Sequence, residues 1–403
     1  MIIRPEQSIS GQKRLTSRFP FRPLLILLAM FYTGILSRSV FAPLLPVIQV
    51  EFGLSHGEAG SVFLFVACGV CVGLFGSGFV ASRLNHRRTI LLSAITLGGV
   101  MLAISQSTSI SGIHAGLLLV GACAGLYFPS GVATLTNLAG REHWGKALAI
   151  HEMAPNLAFI TAPLLVEALL RIAPWRAIVR VLGVSSMLMS ILFFLFGPKG
   201  SQKGDPPNPR ALQKILQNGS FWTMGAVFAL SIGAESGVYS MLPLFLVNEM
   251  GFERELANAL VGFSRVSGVL ILLFSGVITD RVGYKRATIW FLAVVGTLTL
   301  MLGVLQGRLV TPAVIILQAA SLPCFFPGAL AFLSLIFPHH LRSLGMALVL
   351  VVGILFGLGV IPPGIGYLAE TLSFSFGFSV LGVLLLAMVP VLFAIRTYSE
   401  VDQ

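Results

Sequence analysis

Charged residues are scarce in this chain: they make up 10% of its 403 residues, and only 15 of them are acidic. Hydrophobic residues make up 56%, and the mean hydropathy is +0.92. Soluble domains are about 45 to 50% apolar, so this composition excludes an ordinary soluble protein and predicts an integral membrane protein. The net charge of +11 does not indicate a nucleic-acid partner, because the basic residues fall in short clusters between apolar runs.

Cysteine is also rare, with four residues at positions 68, 71, 123 and 324, all inside apolar segments. A disulfide is not expected there, because such segments do not face an oxidising solvent. The Cys68-Gly-Val-Cys71 spacing is that of some redox and metal sites, but the neighbouring glycines favour a helix contact. We recognise no metal-ligand cluster, nucleophile elbow or phosphate-binding glycine loop, so neither an enzyme nor a cofactor is expected.

Long hydrophobic runs, in contrast, are abundant. A spanning helix needs about 20 apolar residues, and twelve such runs can be placed, at 23–47, 57–81, 88–107, 112–138, 146–170, 176–197, 221–247, 255–279, 286–306, 310–336, 341–368 and 372–396. One long polar stretch separates the sixth run from the seventh. The sequence therefore predicts an all-α membrane protein with a tail at 1–22, six helices in 23–197, a linker at 198–220, six helices in 221–396 and a tail at 397–403.

Lysine and arginine are unevenly distributed between the two sides of the predicted membrane protein. Basic residues in short loops resist translocation, so the side that carries more of them faces the cytoplasm. That side holds both tails, the linker and the loops with Arg83, Arg87, Arg281 and Arg286. We therefore expect a multi-pass protein of the cell membrane, here the inner membrane of a bacterium. Both termini are expected to be cytoplasmic.

Two stretches of the chain resemble each other. Residues 78–88 read GFVASRLNHRR and residues 276–286 read GVITDRVGYKR, and they start 198 residues apart (276 − 78), close to half the chain. Pro129 and Pro327, each after a phenylalanine, show the same spacing (327 − 129 = 198). A duplicated apolar half indicates two pseudo-symmetric bundles, and such repeats usually frame a substrate site at their interface.

The repeated pattern Gly-x-x-x-Asp-Arg-x-Gly-x-Lys/Arg, between the second and third helix of each half, resembles the signature of the major facilitator superfamily. The resemblance covers the chain from Pro23 to Arg396. It implies two six-helix bundles and a secondary transporter that works by alternating access. It also implies that the two hairpins lock the cytoplasmic side through charge pairs between the bundles, with gate residues Gly78, Arg83, Arg87, Gly276, Asp280, Arg281, Gly283 and Arg286.

The two copies of the hairpin differ in one carboxylate. Ser82 stands where the second copy has Asp280, and Asn85 stands where it has Gly283, although Asn tolerates the left-handed backbone of a turn. We therefore expect an asymmetric gate, in which Asp280→Asn reduces the transport rate in vesicles much more than Ser82→Ala does. Equal rates in the two variants would favour the alternative interpretation, in which the hairpins serve only membrane insertion and topology.

Two charged residues occupy matching positions in the two halves. Arg38 lies about 15 residues, or roughly 22 Å, into the first helix, and Glu235 follows it by 197 residues (235 − 38) in the second half. Charges inside a membrane usually face a partner or a wet cavity. Either the two residues pair across the bundles, as a gate or a static tie, or Arg38 contacts substrate while Glu235 holds or releases it.

Arg265 lies among small residues in the stretch from Gly262 to Gly268, which leaves room around its guanidinium group. An arginine binds a carboxylate, sulfonate or phosphate through two parallel hydrogen bonds. Arg265 therefore either contacts an anionic substrate or pairs with Glu235 or Glu152. Further candidate substrate contacts, for each of which helix packing is the alternative, are Tyr32, Tyr127, Asn156, Tyr239, Phe325 and Tyr367.

Proton coupling needs a titratable group inside the membrane, and the candidates are Glu152, His151 and Glu235. Desolvation favours the protonated form of a carboxyl group and an approaching arginine favours the ionised form, so proton binding and substrate binding become linked. His151 is a candidate because histidine is the side chain whose ordinary pKa lies closest to physiological pH. The alternative is a packed histidine beside a glutamate that is bridged or reaches toward the membrane surface.

Two functions are consistent with these residues. The two intramembrane arginines favour a transporter of a small organic, carboxylate-like anion, coupled to protons by symport and acting as a monomer in the lipid bilayer. The alternative is an exporter of hydrophobic or cationic drugs or metabolites by proton antiport, in which Glu152 and Glu235 attract the cation. Two features of antiporters in the resembled family are missing, because Leu117 replaces their arginine and Ala162-Pro163 replaces their Gly-Pro.

Overall fold

The computed structural model describes residues 21–139, 144–204, 209–338 and 341–395, and every regular element in these ranges is helical. The first half contains α1 (Phe21–Phe52), α2 (His56–Leu84), α3 (His86–Ile104), α4 (Ile110–Leu138), α5 (Trp144–His151), α6 (Met153–Leu170) and α7 (Trp175–Phe196). A short helix, α8 (Pro209–Leu216), leads to the second half, which contains α9 (Gly219–Glu249), α10 (Arg254–Val282), α11 (Tyr284–Val304), α12 (Val310–Ile336), α13 (Leu344–Thr371) and α14 (Phe374–Ala394).

The helices have the length and composition of membrane spans. Within the described residues, eleven of them are long and apolar enough to cross a membrane. The 29-residue α10 completes six spans in each half, with α5 and α6 together forming the fifth. Large apolar side chains on the outer faces are exposed, such as Val181, Leu188 and Phe194 of α7. This is expected where the surrounding solvent is lipid.

Proline interrupts two spans beside residues of functional interest. Pro155 has no N–H to donate to the carbonyl of His151, four residues earlier, and the fifth span breaks at Glu152, between α5 and α6. Pro43 likewise has no N–H to donate to the carbonyl of Ser39, and α1 is interrupted at Val40, the residue after Ser39. Both breaks bring polar atoms to the inside of the bundle.

Within the first half, α2 and α4 cross in direct backbone contact. A Cβ atom at Gly69 would lie 1.9 Å from the carbonyl oxygen of Leu118, and one at Gly121 would lie 2.1 Å from that of Val66. No side chain fits such a space, so glycine is required at both positions. Gly69 lies between Cys68 and Cys71, and Sγ of Cys71 lies 3.6 Å from the carbonyl oxygen of Val351 in α13.

The two halves pack against each other along α2 with α13 and along α6 with α10. We call the end formed by the α2–α3 and α10–α11 connections the hairpin end, and the opposite end the far end. Near the far end, a Cβ atom at Gly60 would lie 2.7 Å from Cα of Pro363. The backbone N–H of Gly57 donates to Oε1 of Glu370 at 2.6 Å. The structure is therefore closed at the far end.

Candidate functional site

A cavity lies between the two halves, near the middle of the helices. Sites for small molecules typically have apolar walls and a few polar groups that fix orientation. Here the polar groups are one guanidinium, three serine hydroxyls and one tyrosine. The lining residues are Arg38, Ser39, Ala42, Phe63, Val66 and Phe159 of the first half and Ser236, Tyr239, Ser240 and Leu358 of the second.

Arg265 of α10 is buried beside this cavity and is held by the protein itself. Its Nη2 donates to the main-chain carbonyl oxygen of Glu235 at 2.9 Å. That carbonyl belongs to a π-helical turn, Gly233–Gly237, in α9. The guanidinium carbon lies 4.9 Å from the ring centroid of Tyr239 and 5.5 Å from that of Phe159. These are cation–π distances, so Arg265 packs against two neighbouring rings, whose centroids lie 4.8 Å apart.

Arg38 and the Glu235 carboxylate act on each other across the two halves. The Glu235 carboxylate interacts electrostatically with the Arg38 guanidinium group, and it also interacts electrostatically with Arg265. No direct ion pair joins these groups within the described part of the chain. The Arg38 guanidinium faces the cavity and forms no hydrogen bond there with a described residue. Its five N–H donors are therefore free to bind a ligand.

A second polar group lies inside the first half. His151 is fully buried, and its ring stacks on Phe31 at a centroid distance of 4.4 Å. The hydroxyl of Tyr127 donates to the carbonyl oxygen of Leu27 at 2.8 Å and lies 3.1 Å from Nε2 of His151. Nδ1 of His151 lies 3.4 Å from Oε1 of Glu152, whose side chain is 49% exposed. The predicted proton-coupling residues of the first half are thus in contact with each other.

The structure brings together only some of the predicted substrate residues. Tyr239 lines the cavity with Arg38, whereas Tyr32 donates its hydroxyl proton to Oγ1 of Thr161 at 2.7 Å. Nδ2 of Asn156 donates to the carbonyl oxygen of Glu152 at 3.4 Å.

Two predicted residues lie away from the cavity. Phe325 is buried in the second half between Phe228 and Phe326, at centroid distances of 5.8 Å and 5.4 Å. Tyr367 is 64% exposed and lies toward the far end of α13. Neither residue is among those that line the cavity.

The two hairpins share an anchor to the last helix of their own half. Arg87 donates to the carbonyl oxygen of Phe194, at the end of α7, at 2.7 Å. Lys285, 198 residues later (285 − 87), donates to the carbonyl oxygens of Phe393 and Ile395, at the end of α14, at 3.0 and 2.8 Å. A cation at a helix C-terminus is favourable because the carbonyls there lack partners.

The other predicted gate residues are placed as follows. Gly78 is half-buried in α2, and Arg83, Arg281 and Arg286 are exposed. Gly283 immediately precedes α11 and has a positive φ of 92°. Gly276 lies within α10, and the side chain of Asp280 lies outside the described residues.

Sequence reasoning missed a polar cluster at the far end. Glu167 of α6 is buried, and its Oε1 accepts from Nε of Arg254 at 3.0 Å and from Nδ2 of Asn258 at 2.7 Å. Both partners belong to α10. Asn258 Nδ2 also lies 3.3 Å from the carbonyl oxygen of Pro43 in α1. The available signal was a carboxylate within an apolar helix, because such a charge is rarely left unpaired.

Two six-helix halves around a central cavity define a membrane transporter. Comparison with known proteins identifies the transporter family. The sequence model of the Major Facilitator Superfamily matches residues 25–317. The chain belongs to the major facilitator superfamily. It is therefore a transporter and not an enzyme, and the predicted fold of two six-helix bundles is confirmed.

Individual relatives and a solved structure agree with this assignment. A probable 4-methylmuconolactone transporter of Cupriavidus pinatubonensis is 26% identical over 381 residues, which cover 86% of each chain. The cis,cis-muconate transport protein of Acinetobacter baylyi is 24% identical over 366 residues, which cover 86% of this chain and 87% of the relative. A bacterial homologue of the human lysosomal transporter Spinster, inward-facing and occupied, has a TM-score of 0.75 at 15% identity, covering 95% of this chain and 98% of that chain.

Proposed function

We propose that this protein carries a small organic anion with a carboxylate group across the membrane by alternating access, together with protons. The observation that carries the proposal is Arg38, a guanidinium group that faces an apolar cavity between the halves and has free donors. A desolvated charge without a direct partner is unfavourable, and a bound carboxylate would satisfy it through two hydrogen bonds. The relatives named for muconate and 4-methylmuconolactone transport support a substrate of this kind.

Ligand-dependent thermal stability of the purified protein tests the substrate class. A ligand that binds only the folded state stabilises it by about 2.7 kcal/mol at 100 times its dissociation constant. We expect organic carboxylates to raise the unfolding temperature and cationic drugs to leave it unchanged. Stabilisation by cationic drugs alone would contradict the proposal and favour the exporter.

Hydrogen-bond accounting supports His151 and Glu152 as the proton site. The single hydroxyl proton of Tyr127 goes to the carbonyl of Leu27, so Nε2 of His151 must donate to the tyrosine oxygen. In a neutral imidazole, Nδ1 is then an acceptor, and it faces Oε1 of Glu152, which is also an acceptor when ionised. A proton bound between the two atoms resolves this conflict. The half-exposed Glu152 gives that proton access from outside the protein.

Glu152→Gln is expected to uncouple transport from protons. The glutamine amide N–H donates to Nδ1 of His151 without any bound proton, so the site no longer needs to load one. In proteoliposomes, exchange of internal for external substrate should continue, while accumulation driven by a pH gradient should fall by about tenfold or more. Glu253→Gln is the matched control, because Glu253 is exposed and no bond of its side chain is recorded in the structure. Undiminished proton-driven accumulation in Glu152→Gln would contradict this assignment.

We further propose that the hairpin end faces the cytoplasm. The exposed Arg83, Arg281 and Arg286 lie at this end, and basic residues are enriched on the cytoplasmic side of membrane proteins. The closed far end of the structure then faces away from the cytoplasm, on the periplasmic side of a bacterial inner membrane. A C-terminal reporter that is active only in the cytoplasm checks this orientation, and an inactive reporter in a functional fusion would reverse it.

A further inference from the structure

The charge of the central site is set by three groups. Glu235 is a charged partner of both Arg38 and Arg265, and Nη2 of Arg265 donates to the main-chain carbonyl oxygen of Glu235 at 2.9 Å. Two arginines and one glutamate leave a net charge of +1. We propose that Glu235 acts as a charge filter, so that the site takes an organic anion with one negative charge and an apolar body and rejects dianions. This inference rests on the proposed function and adds a specificity-determining residue to it.

The two arginines are not equivalent, and this difference carries the argument. Arg265 is buried, bonded to the main chain of Glu235 and packed against the rings of Tyr239 and Phe159. It cannot turn toward a ligand without losing these contacts. Arg38 lines the cavity with its donors free. One ligand carboxylate therefore finds one available guanidinium group.

The Glu235 carboxylate offsets the positive charge that a second ligand carboxylate would need. A monoanion brings the site from +1 to zero, whereas a dianion brings it to −1 in a cavity with apolar walls. An uncompensated charge in such surroundings is unfavourable, because its lost hydration is not replaced. The remaining wall offers side chains such as Phe63, Val66 and Leu358 to an apolar or aromatic body, not a second cation.

Ligands with one carbon skeleton and different charge test the filter. We would measure binding to the purified wild-type protein at pH 7.5 for a dicarboxylate, its monomethyl ester and its dimethyl ester, using both trans,trans-muconate and terephthalate. Free carboxyl groups are ionised at this pH, so the series carries charges of −2, −1 and zero. In at least one series, the monoester should bind about tenfold or more tightly than the diacid and the diester.

The outcomes separate the two proposals. A diacid that binds as tightly as its monoester overturns the charge filter and leaves the anion transporter intact. Binding of the neutral diesters alone, or of none of the six compounds, overturns both.

Glu235→Gln provides the second arm of the experiment. The variant raises the site charge to +2, so the ratio of diacid to monoester affinity should rise by about tenfold or more relative to wild type. Glu253→Gln, which removes the same charge at an exposed position, should leave the ratio unchanged. An unchanged ratio in Glu235→Gln would overturn the assignment to this residue. If Glu235→Gln does not fold, the wild-type ratio alone decides.

Discussion

Arg38→Ala is expected to lose about 99% of substrate transport while the protein remains folded. A carboxylate held by two charge-assisted hydrogen bonds gains about 1.5 kcal/mol from each, and a loss of about 3 kcal/mol weakens binding roughly 100-fold. Folding should be unaffected, because Arg38 has no recorded hydrogen bond to lose with a described residue and its desolvated charge disappears. Uptake into proteoliposomes at low substrate concentration and the unfolding temperature of the same preparation measure the two effects.

Two further variants make the Arg38 experiment specific. Arg38→Lys keeps the charge but not the planar pair of donors, so transport should recover only in part. Arg265→Ala removes the bond to the Glu235 carbonyl and the contacts with two rings, so it should lower the unfolding temperature as well as transport. Wild-type transport rates in Arg38→Ala would refute the substrate role of this residue.

The hairpin backbone was predictable because turn geometry depends on local residue types. Asn85 and Gly283 occupy the same place in the repeat, and both have positive φ, of 79° and 92°. The structure adds what the pattern does not show: Oδ1 of Asn85 also caps α3 by accepting from the N–H of Arg88 at 2.9 Å. Asparagine thus contributes a cap that the glycine of the second copy cannot provide.

The direction of individual side chains was less predictable, because depth along a helix does not determine which face a residue occupies. Successive residues of an α-helix point about 100° apart, and a π-helical turn adds a residue that shifts every position after it. The turn Gly233–Gly237 places the Glu235 carbonyl within hydrogen-bond distance of Arg265. No sequence pattern predicts this π-helical turn. Phe325 was a candidate substrate contact, but it packs against Phe228 and Phe326 and does not line the cavity.

Glu167 was not predicted, because its importance comes from partners in the other half that the sequence alone does not reveal. Its hydrogen bonds to Arg254 and Asn258 cross from α6 to α10, and Asn258 continues to the carbonyl of Pro43 in α1. The cluster therefore exists only while the far end is closed. Alternating access requires that the far end opens, so this cluster contributes to the balance between the two states.

Glu167→Ala is expected to shift the protein toward a state that is open at the far end. Removing one partner of a buried pair costs about 3 to 5 kcal/mol, but the side chain of Arg254 is 37% exposed, so we expect a smaller loss. A loss of about 1.4 kcal/mol already changes the population ratio about tenfold. Spin labels at Ile172 and Leu309, both highly exposed on opposite halves of the far end, report the opening as a longer distance. The measurement is made in a variant without the four native cysteines.

The Arg171–Glu255 pair provides a matched control. It also connects the end of α6 to the start of α10, with an Nη2–Oε2 distance of 2.9 Å, but its side chains are 65% and 53% exposed. Exposed pairs contribute about 0 to 1 kcal/mol, so Glu255→Ala should leave the distance distribution close to wild type. If both variants shifted the distribution equally, general charge at the far end would be the cause. If neither did, helix packing such as that at Gly60 would hold the far end closed without the buried cluster.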